Sequence, residues 1–323
     1  LETENHHFMA GVGNIIVHNT DSIFVNFTPY IRANPKKFGK NPSDKEILQL
    51  TMDLSVEAAA GVTNILLEPQ QLEPEKTFWP FILFSKKRYV GNKYEFDVNK
   101  YKQTSMGIVL KRRDNAEIVK HCYGGVIKIL MNKKNVEASI TYLKEELRKL
   151  LDGKFGLDML VITKSLRGFY KNPNQIAHKV LADRIGVRDP GNKPKSNDRI
   201  PYVYIETKGQ VKLQGDKIET PEYIKENNLK PDYMFYITNQ IMKPVAQIYS
   251  LIVENLKGFK YEKDYFEKKH KILLKEKTPE KALDKLNDLK FKETCSIIFG
   301  DIIRIAENRK TKSTVITDFF KVV

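Results

Sequence analysis

The spacing of apolar residues changes along this chain, and that change limits the folds it can adopt. Up to residue 27 the pattern is that of short strands, as in TDSIFVNF at positions 20–27, where apolar residues alternate. From Asp114 onward, spacings of three and four residues dominate, as between Glu137 and Leu151. We therefore predict an α+β fold, in which a mixed β/α unit with a basic hairpin precedes a mostly α-helical unit.

Within the first unit the sequence predicts one long helix and one hairpin. Apolar residues at helical spacing run from Ser43 to Leu67, and Ser43 with Glu46 matches a capping box. The apolar run FWPFILF at 78–84 predicts a buried strand, and KYEFDV at 93–98 predicts its alternating partner. The basic cluster between these runs would form the tip of the hairpin.

The second unit is less regular toward its end. A helical pattern covers 244–256, and a polar segment rich in Gly and Pro interrupts the helical region at 188–199. The stretch 257–281 is rich in Lys and Glu, which is typical of a solvated helix or a linker.

Composition narrows the functional classes. A chain of 323 residues exceeds the usual size of one hydrophobic core, so we expect at least two units. The 55 Lys and Arg outnumber the 40 Asp and Glu, which favours a polyanionic partner, either nucleic acid or an anionic membrane face. Two cysteines exclude a disulfide framework or a cysteine-based zinc finger and favour a reducing compartment. A membrane-spanning helix and an export signal are not expected.

Much of the charge excess lies in residues 86–113, which contain nine basic and two acidic residues. Tyrosines and a phenylalanine are interleaved with these charges, a composition suited to gripping a nucleic-acid backbone beside aromatic faces. The alternative is a solvated hairpin whose tyrosines cover a core edge. The aromatic residues are Tyr89, Tyr94, Phe96 and Tyr101.

Asp21, between two apolar runs, is by itself most simply a turn residue. Its sequence context carries more information. The segments TDSIFV, KKRYVG, KRRDN, LVITKSL, NDRIPYV, TPEYIKENNL and YITNQIMKP follow one another in residues 20–250. In this order they resemble family B DNA polymerases, from the second half of the active-site DTDS motif to the end of the thumb. The resemblance implies a palm remainder at 20–115 and a thumb at 116–306.

The resemblance also implies a catalytic role for Asp21. In the family two palm aspartates bind two Mg²⁺ ions for template-directed nucleotidyl transfer. Asp21 would be one of them, with Thr20 and Ser22 shaping its turn. Primer–template DNA, deoxynucleoside triphosphates and the N-terminal part of the polymerase are the implied partners.

Several basic and aromatic residues match family positions that contact DNA. The hairpin set would lie along the primer–template minor groove, and a second set would form the palm-to-thumb junction. Thumb positions are matched by Arg199, Tyr202, Tyr236 and Gln240, for which a purely stabilising role is the alternative. The first two sets are Lys86, Lys87, Arg88 and Tyr89, and Lys111, Arg112 and Arg113.

The chain departs from the family in what it lacks. Motifs that precede DTDS, including the other metal-binding aspartate, have no counterpart, so this segment alone is expected to be inactive. The cysteine-rich C-terminal modules of delta-type members are also missing, which favours a viral member acting in a nucleus or a viral replication compartment. Asn197 replaces a glycine that is frequent in the family.

The first 19 residues resemble the C-terminal end of an intein. The segment NHHFMAGVGNIIVHN ends in His18 and Asn19, and Thr20 follows. Splicing requires an Asn that cyclises, a neighbouring His that assists proton transfer and a following Ser, Thr or Cys that accepts the acyl group. His6 would be the upstream assisting histidine.

The tail at 307–323 resembles a peptide that binds a PCNA-like sliding clamp. Ile316, Phe319 and Phe320 have the spacing of the three apolar plugs, with Ser313 where the motif prefers Gln. An amphipathic end packed on the last helix is the alternative. Two alternatives to a polymerase remain from the sequence. One is a non-catalytic duplex-binding or clamp-interacting module, and the other is a generic RNA-binding protein, which would need an aromatic RNA-recognition motif that this sequence does not contain.

Overall fold

The computed structural model describes residues 7–9, 15–18, 22–85, 87–111, 114–207, 209 and 211–311. The chain divides into two compact units, of which the first ends at Met106 and the second begins at Gly107. The boundary proposed from the sequence lies nine residues later, at 115/116. None of the helices in the described ranges is long and apolar enough to cross a membrane.

The first unit begins with a small antiparallel sheet in the order β1-β2-β3, in which β2 pairs with both neighbours. Three helices follow, and a second antiparallel sheet in the order β4-β5-β6 completes the unit. The elements are β1 His7–Met9, β2 Ile15–His18, β3 Ile23–Val25, α1 Thr28–Ala33, α2 Pro35–Phe38, α3 Asp44–Thr63, β4 Thr77–Ser85, β5 Arg88–Tyr94 and β6 Lys102–Met106.

Helix α3 confirms the capping box. The Glu46 amide donates to Ser43 Oγ at 3.3 Å, and the Ser43 amide donates to the Glu46 carboxylate at 2.7 Å, so two otherwise unpaired amides are satisfied. The hydrogen bonds to Ser43 lower the pKa of the Glu46 carboxyl. One side of α3 packs Ile47 on Ile31, and another packs Met52 beside Tyr94. The helix ends at Thr63, four residues before the predicted end.

The β4–β5 hairpin confirms the predicted strand at 78–84 but not its partner. Strand β5 starts at Arg88 and ends at Tyr94, so the prediction of a strand at 93–98 is wrong beyond Tyr94. The reason is local, because Asp97 Oδ1 accepts a hydrogen bond from the Asn99 amide at 2.8 Å and turns the chain.

The second unit is mainly helical, and its described residues include a small antiparallel sheet in the order β7-β8-β9. A π-helix, Tyr236–Ile241, precedes α9. The elements are α4 Glu117–Lys133, α5 Val136–Leu151, β7 Ile162–Ser165, α6 Ala177–Arg188, β8 Arg199–Tyr204, β9 Ile218–Glu219, α7 Pro221–Glu226, α8 Tyr233–Phe235, α9 Met242–Ser250, α10 Tyr265–Glu276 and α11 Pro279–Thr311.

The core of the second unit forms where α11 packs on α5, α9 and α10. Leu143 and Leu147 of α5 are fully buried, as is Phe299 of α11, so the predicted helix at 137–151 is confirmed. The helix predicted at 244–256 is wrong beyond Ser250, where turns and a short 3₁₀ helix replace it. The α+β class, with a helical C-terminal part, is confirmed.

Candidate nucleic-acid interface

The tip of the β4–β5 hairpin is a two-residue connection. Ser85 pairs with Arg88, so Lys86 and Lys87 join the strands, and Lys86 lies outside the described residues. Lys87 is exposed and has a left-handed backbone conformation with φ 58°. Arg88 and Tyr89 are half-buried and open strand β5. The sequence prediction of a basic tip is confirmed for Lys87, whereas Arg88 and Tyr89 belong to strand β5.

Behind the tip, four aromatic rings form a cluster that joins β3 to the hairpin. The Tyr89 ring lies 5.7 Å from Phe24, 5.7 Å from Phe78 and 5.5 Å from Phe81, measured between ring centroids. Phe24 also contacts Phe81, with centroids 5.1 Å apart. Such contacts contribute about 0.5–1.5 kcal/mol per pair beyond burial. They fix strand β3, which follows Asp21 in the chain, against the basic hairpin.

Gly91 allows the rings to lie this close to strand β5. A Cβ at this position would be 2.9 Å from Phe78 Cδ1 and 3.0 Å from the Pro80 carbonyl oxygen. Any other residue would push the rings or the backbone of β4 away. The opposite face of β5 is buried at Val90, Asn92 and Tyr94, where burial raises the pKa of the Tyr94 phenol.

The predicted catalytic turn is only partly within the described residues. Ser22 is described and exposed, whereas Thr20 and Asp21 lie outside the described ranges. The antiparallel register pairs Val17 with Ile23, so the two strands that flank the turn are adjacent. In the described part of the chain, no group of three or more His, Cys, Asp or Glu could hold a metal ion.

The splicing residues have a similar status. His6, Asn19 and Thr20 lie outside the described residues, and the backbone of His18 belongs to β2. The β1–β2 register pairs His7 with His18. His7, which follows the predicted assisting histidine in the sequence, is therefore paired with the last residue of β2.

Two further predicted sets lie wholly or partly outside the described residues. Only the backbone of Lys111 is described, and Arg112 and Arg113 are not. The tail residues Ile316, Phe319 and Phe320 also lie outside the described residues.

Among the matched thumb residues, Arg199 differs from the two tyrosines. It is exposed, and its guanidinium donates to the Ser165 hydroxyl and the Thr163 carbonyl, both at 3.3 Å. Tyr202 and Tyr236 are buried, and burial raises the pKa of both phenols. The Tyr236 hydroxyl donates to the Leu160 carbonyl at 2.7 Å and accepts from the Tyr204 amide at 3.0 Å. Both tyrosines therefore fit the stabilising alternative, and Arg199 remains a candidate for DNA contact.

Sequence reasoning missed one candidate region, the connection between β7 and α6. It contains the pentapeptide RGFYK, residues 167–171, in which Phe169 is 83% exposed. An aromatic residue between two cations was the available signal in the sequence.

Comparison with known proteins agrees with these observations. The sequence pattern of the family described as DNA polymerase family B matches residues 14–252. The DNA polymerase of Pyramimonas orientalis virus is 50% identical over 312 residues, which cover 96% of this chain and 25% of that protein. The DNA polymerase of Acanthamoeba polyphaga mimivirus is 49% identical over 259 residues, covering 79% of this chain and 15% of that protein.

The DNA polymerase delta catalytic subunit of Glycine max is 32% identical over 242 residues, which are 75% of this chain and 21% of the subunit. This chain thus spans a quarter or less of the length of these relatives. The family match covers well over half of the chain, in both of its units. The chain belongs to DNA polymerase family B.

Proposed function

We propose that this chain is the C-terminal part of a template-directed DNA polymerase, comprising the remainder of the palm and the thumb. The observation that carries the proposal is the aromatic cluster. Phe24 holds β3, which directly follows the DTDS-like segment, against the hairpin that carries Lys87 and Arg88. A carboxylate for chemistry and cations for duplex phosphates therefore belong to one unit. Primer–template DNA, deoxynucleoside triphosphates and the N-terminal part of the polymerase are the proposed partners.

Asp21 is the proposed catalytic carboxylate. Its oxygen atoms are the donor type that Mg²⁺ prefers, and the bound ions supply positive charge to the transferring phosphoryl group. Further ligands would come from the N-terminal part of the polymerase, which carries the other metal-binding aspartate in the family. Thr20 and Ser22 hold the turn that presents the carboxylate.

The test of this function is Asp21→Asn in the complete polymerase. Nucleotide incorporation should fall by about a thousandfold or more, since a metal-binding charge is replaced by a neutral amide. Primer–template affinity should change little. Asp97→Asn is the matched control, because an Asn can still accept the turn hydrogen bond from Asn99. Near-normal incorporation by the Asp21 variant would disprove the assignment.

The hairpin tip is the proposed duplex-binding element. Replacing Lys86 and Lys87 by Ala should weaken primer–template binding similarly for all sequences and reduce the salt dependence by a slope of about 0.9 per lost phosphate contact. Lys45→Ala, an exposed lysine of α3, is the control. An unchanged slope would favour the solvated-hairpin alternative.

A protein-splicing junction between Asn19 and Thr20 is a separate proposal. It is supported by the residue types at the junction and by the register of His7 with His18. The family match, in contrast, begins at residue 14 and counts 14–19 as polymerase sequence. Mass spectrometry of the mature enzyme distinguishes a splicing segment from ordinary polymerase sequence at residues 1–19. If splicing occurs, Thr20 is joined to upstream polymerase sequence and residues 1–19 are missing. Asn19→Ala should block that product.

The tail is proposed to bind a sliding clamp through Ile316, Phe319 and Phe320. A peptide covering residues 308–323 should bind the cognate clamp, and Phe319→Ala with Phe320→Ala should abolish binding, because two of three apolar plugs are lost. Binding that is insensitive to this double substitution would leave the tail as a packing segment.

A further inference from the structure

The connection between β7 and α6 presents an exposed aromatic ring on an ordered loop. We call residues Arg167–Lys171 the RGFYK loop. Phe169 at its centre is 83% exposed, whereas the adjacent Tyr170 is half-buried. Exposing a phenylalanine to this degree gains nothing for folding, since the burial of such a ring is worth about 1.5–3 kcal/mol.

Hydrogen bonds hold the loop in place at both ends. The Arg167 amide donates to the Tyr170 hydroxyl at 2.8 Å, and that hydroxyl lies 3.0 Å from His178 Nε2 on α6. The Leu166 amide donates to the Asp198 carbonyl at 2.8 Å, and the Leu166 carbonyl accepts from the Asn197 amide at 2.8 Å. The ring of Phe169 is therefore carried by a supported backbone.

The cations that lie close to Phe169 in the sequence have no acidic partner among the described residues. Lys164, Arg167 and Lys171 are exposed, and none of them forms an ion pair within the described ranges. Arg199, which pairs with Ser165 between β7 and β8, donates to two neutral oxygens of β7. This arrangement leaves positive charge on both sides of Phe169 available to a polyanion.

We propose that the RGFYK loop binds unpaired nucleotides of single-stranded DNA, with Phe169 stacked on a base and Arg167 and Lys171 on the adjacent phosphates. This inference rests on the proposed polymerase function and adds a second DNA-binding element to it. A single strand is chosen over a duplex because an inner base of a duplex has both faces covered by its neighbours. An exposed ring can stack only where a base face is free.

The test measures binding by the 323-residue chain to a short single-stranded oligonucleotide and to a duplex whose two ends are closed by non-nucleotide linkers, so that the duplex contains no unpaired bases. Phe169→Ala should weaken single-strand binding by about fivefold or more and leave duplex binding unchanged, whereas Phe169→Trp should retain single-strand affinity. A 2-aminopurine base in the single strand should be quenched by the unmodified chain and less by the Ala variant. Val187→Ala is the matched control, because Val187 is 82% exposed in the same unit.

Four outcomes would overturn the proposal: no single-strand binding by the unmodified chain, no effect of Phe169→Ala, an equal loss on duplex DNA, or an equal loss in the Val187 control. These outcomes are separate from failure of the polymerase function. That function is judged by incorporation in the Asp21→Asn enzyme, which does not involve Phe169.

Discussion

The two ends of helix α6 lie beside charged groups of very different character. At its C-terminal end, Arg188 donates two hydrogen bonds to the Glu219 carboxylate, of 2.8 and 3.0 Å, and Arg184 Nε lies 3.1 Å from the same carboxylate. Glu219 is only 5% exposed. At its N-terminal end, the cations of the RGFYK loop have no acidic partner in the described ranges.

This difference separates two uses of the same charge. The arginines at the C-terminal end are paired with Glu219 and hold β9 to α6. They therefore contribute to stability, and little of their charge is available to an external ligand. Arg167 and Lys171 at the N-terminal end form no ion pair within the described ranges and remain available to phosphate. Net charge alone, at +15, does not distinguish the two groups.

The largest expected effect is on stability at Glu219. Glu219→Ala should lower the free energy of unfolding by about 3–5 kcal/mol, because Arg188 loses its counter-charge and Arg184 retains the more distant carboxylate of Asp216, at 3.8 Å. Urea denaturation measures the change. The control is Glu226→Ala at an exposed position of α7, which should change the free energy of unfolding by no more than about 0.5 kcal/mol. A loss below about 1 kcal/mol at Glu219 would show that the pair does not hold the two elements together.

A smaller effect is expected at Arg188. Arg188→Lys should lower the free energy of unfolding by about 2 kcal/mol. One ammonium cannot replace the two hydrogen bonds to Glu219, nor can it stack as the guanidinium does, 3.7 Å from the centre of the Tyr223 ring. The salt dependence of DNA binding should not change. A reduced slope would contradict the division between the two ends of α6.

The reverse pattern is expected at Lys171. Lys171→Ala should leave the free energy of unfolding within about 0.5 kcal/mol of the unmodified chain. It should lower the slope of single-strand affinity against salt by about 0.7, the value for one phosphate contact. Fluorescence anisotropy at several salt concentrations checks this. Loss of stability without a change in slope would assign Lys171 to internal pairing.

The smallest effect concerns pH and His178. Burial, then the nearby charges of Lys164 and Arg167, lower the pKa of this imidazole, which also faces the Tyr170 hydroxyl. The unfolded chain therefore binds more protons below its ordinary pKa near 6.5, so stability should fall as the pH drops through that value. His178→Gln should reduce this loss between pH 7.5 and 5.5, because Gln does not titrate. An unchanged pH dependence would show that other groups cause it.

Local signals predicted the elements whose determinants are close in sequence. The start of α3 followed from Ser43 and Glu46, three residues apart, and the basic tip from a cluster between two strand-like runs. Where a side chain overrides the pattern, prediction failed, as at Asp97, whose turn ends the alternation that begins at Lys93.

Long-range pairing could not be predicted. Glu219 lies 31 residues from Arg188, and neither residue stands out among the other charges of the chain. In the same way, the sequence does not show that Tyr236 is unavailable for DNA contact, because its hydroxyl donates to the carbonyl of Leu160, 76 residues away in the chain. Residues of the candidate site could be predicted where they belong to family motifs. Which cations are paired with acidic residues and which are available to a ligand could be determined only from the folded structure.

The left-handed conformation of Lys87 implies a trade-off at a single position. An L-residue at φ 58° is disfavoured by about 1 kcal/mol, whereas glycine adopts such a conformation without steric cost. Lys87→Gly would therefore relax the backbone of the connection while removing the cation at its tip. Selection for stability alone would favour glycine at this position, whereas selection for affinity toward an anionic ligand would favour lysine. Variants that become more heat-resistant here should be the ones that dissociate from DNA more readily.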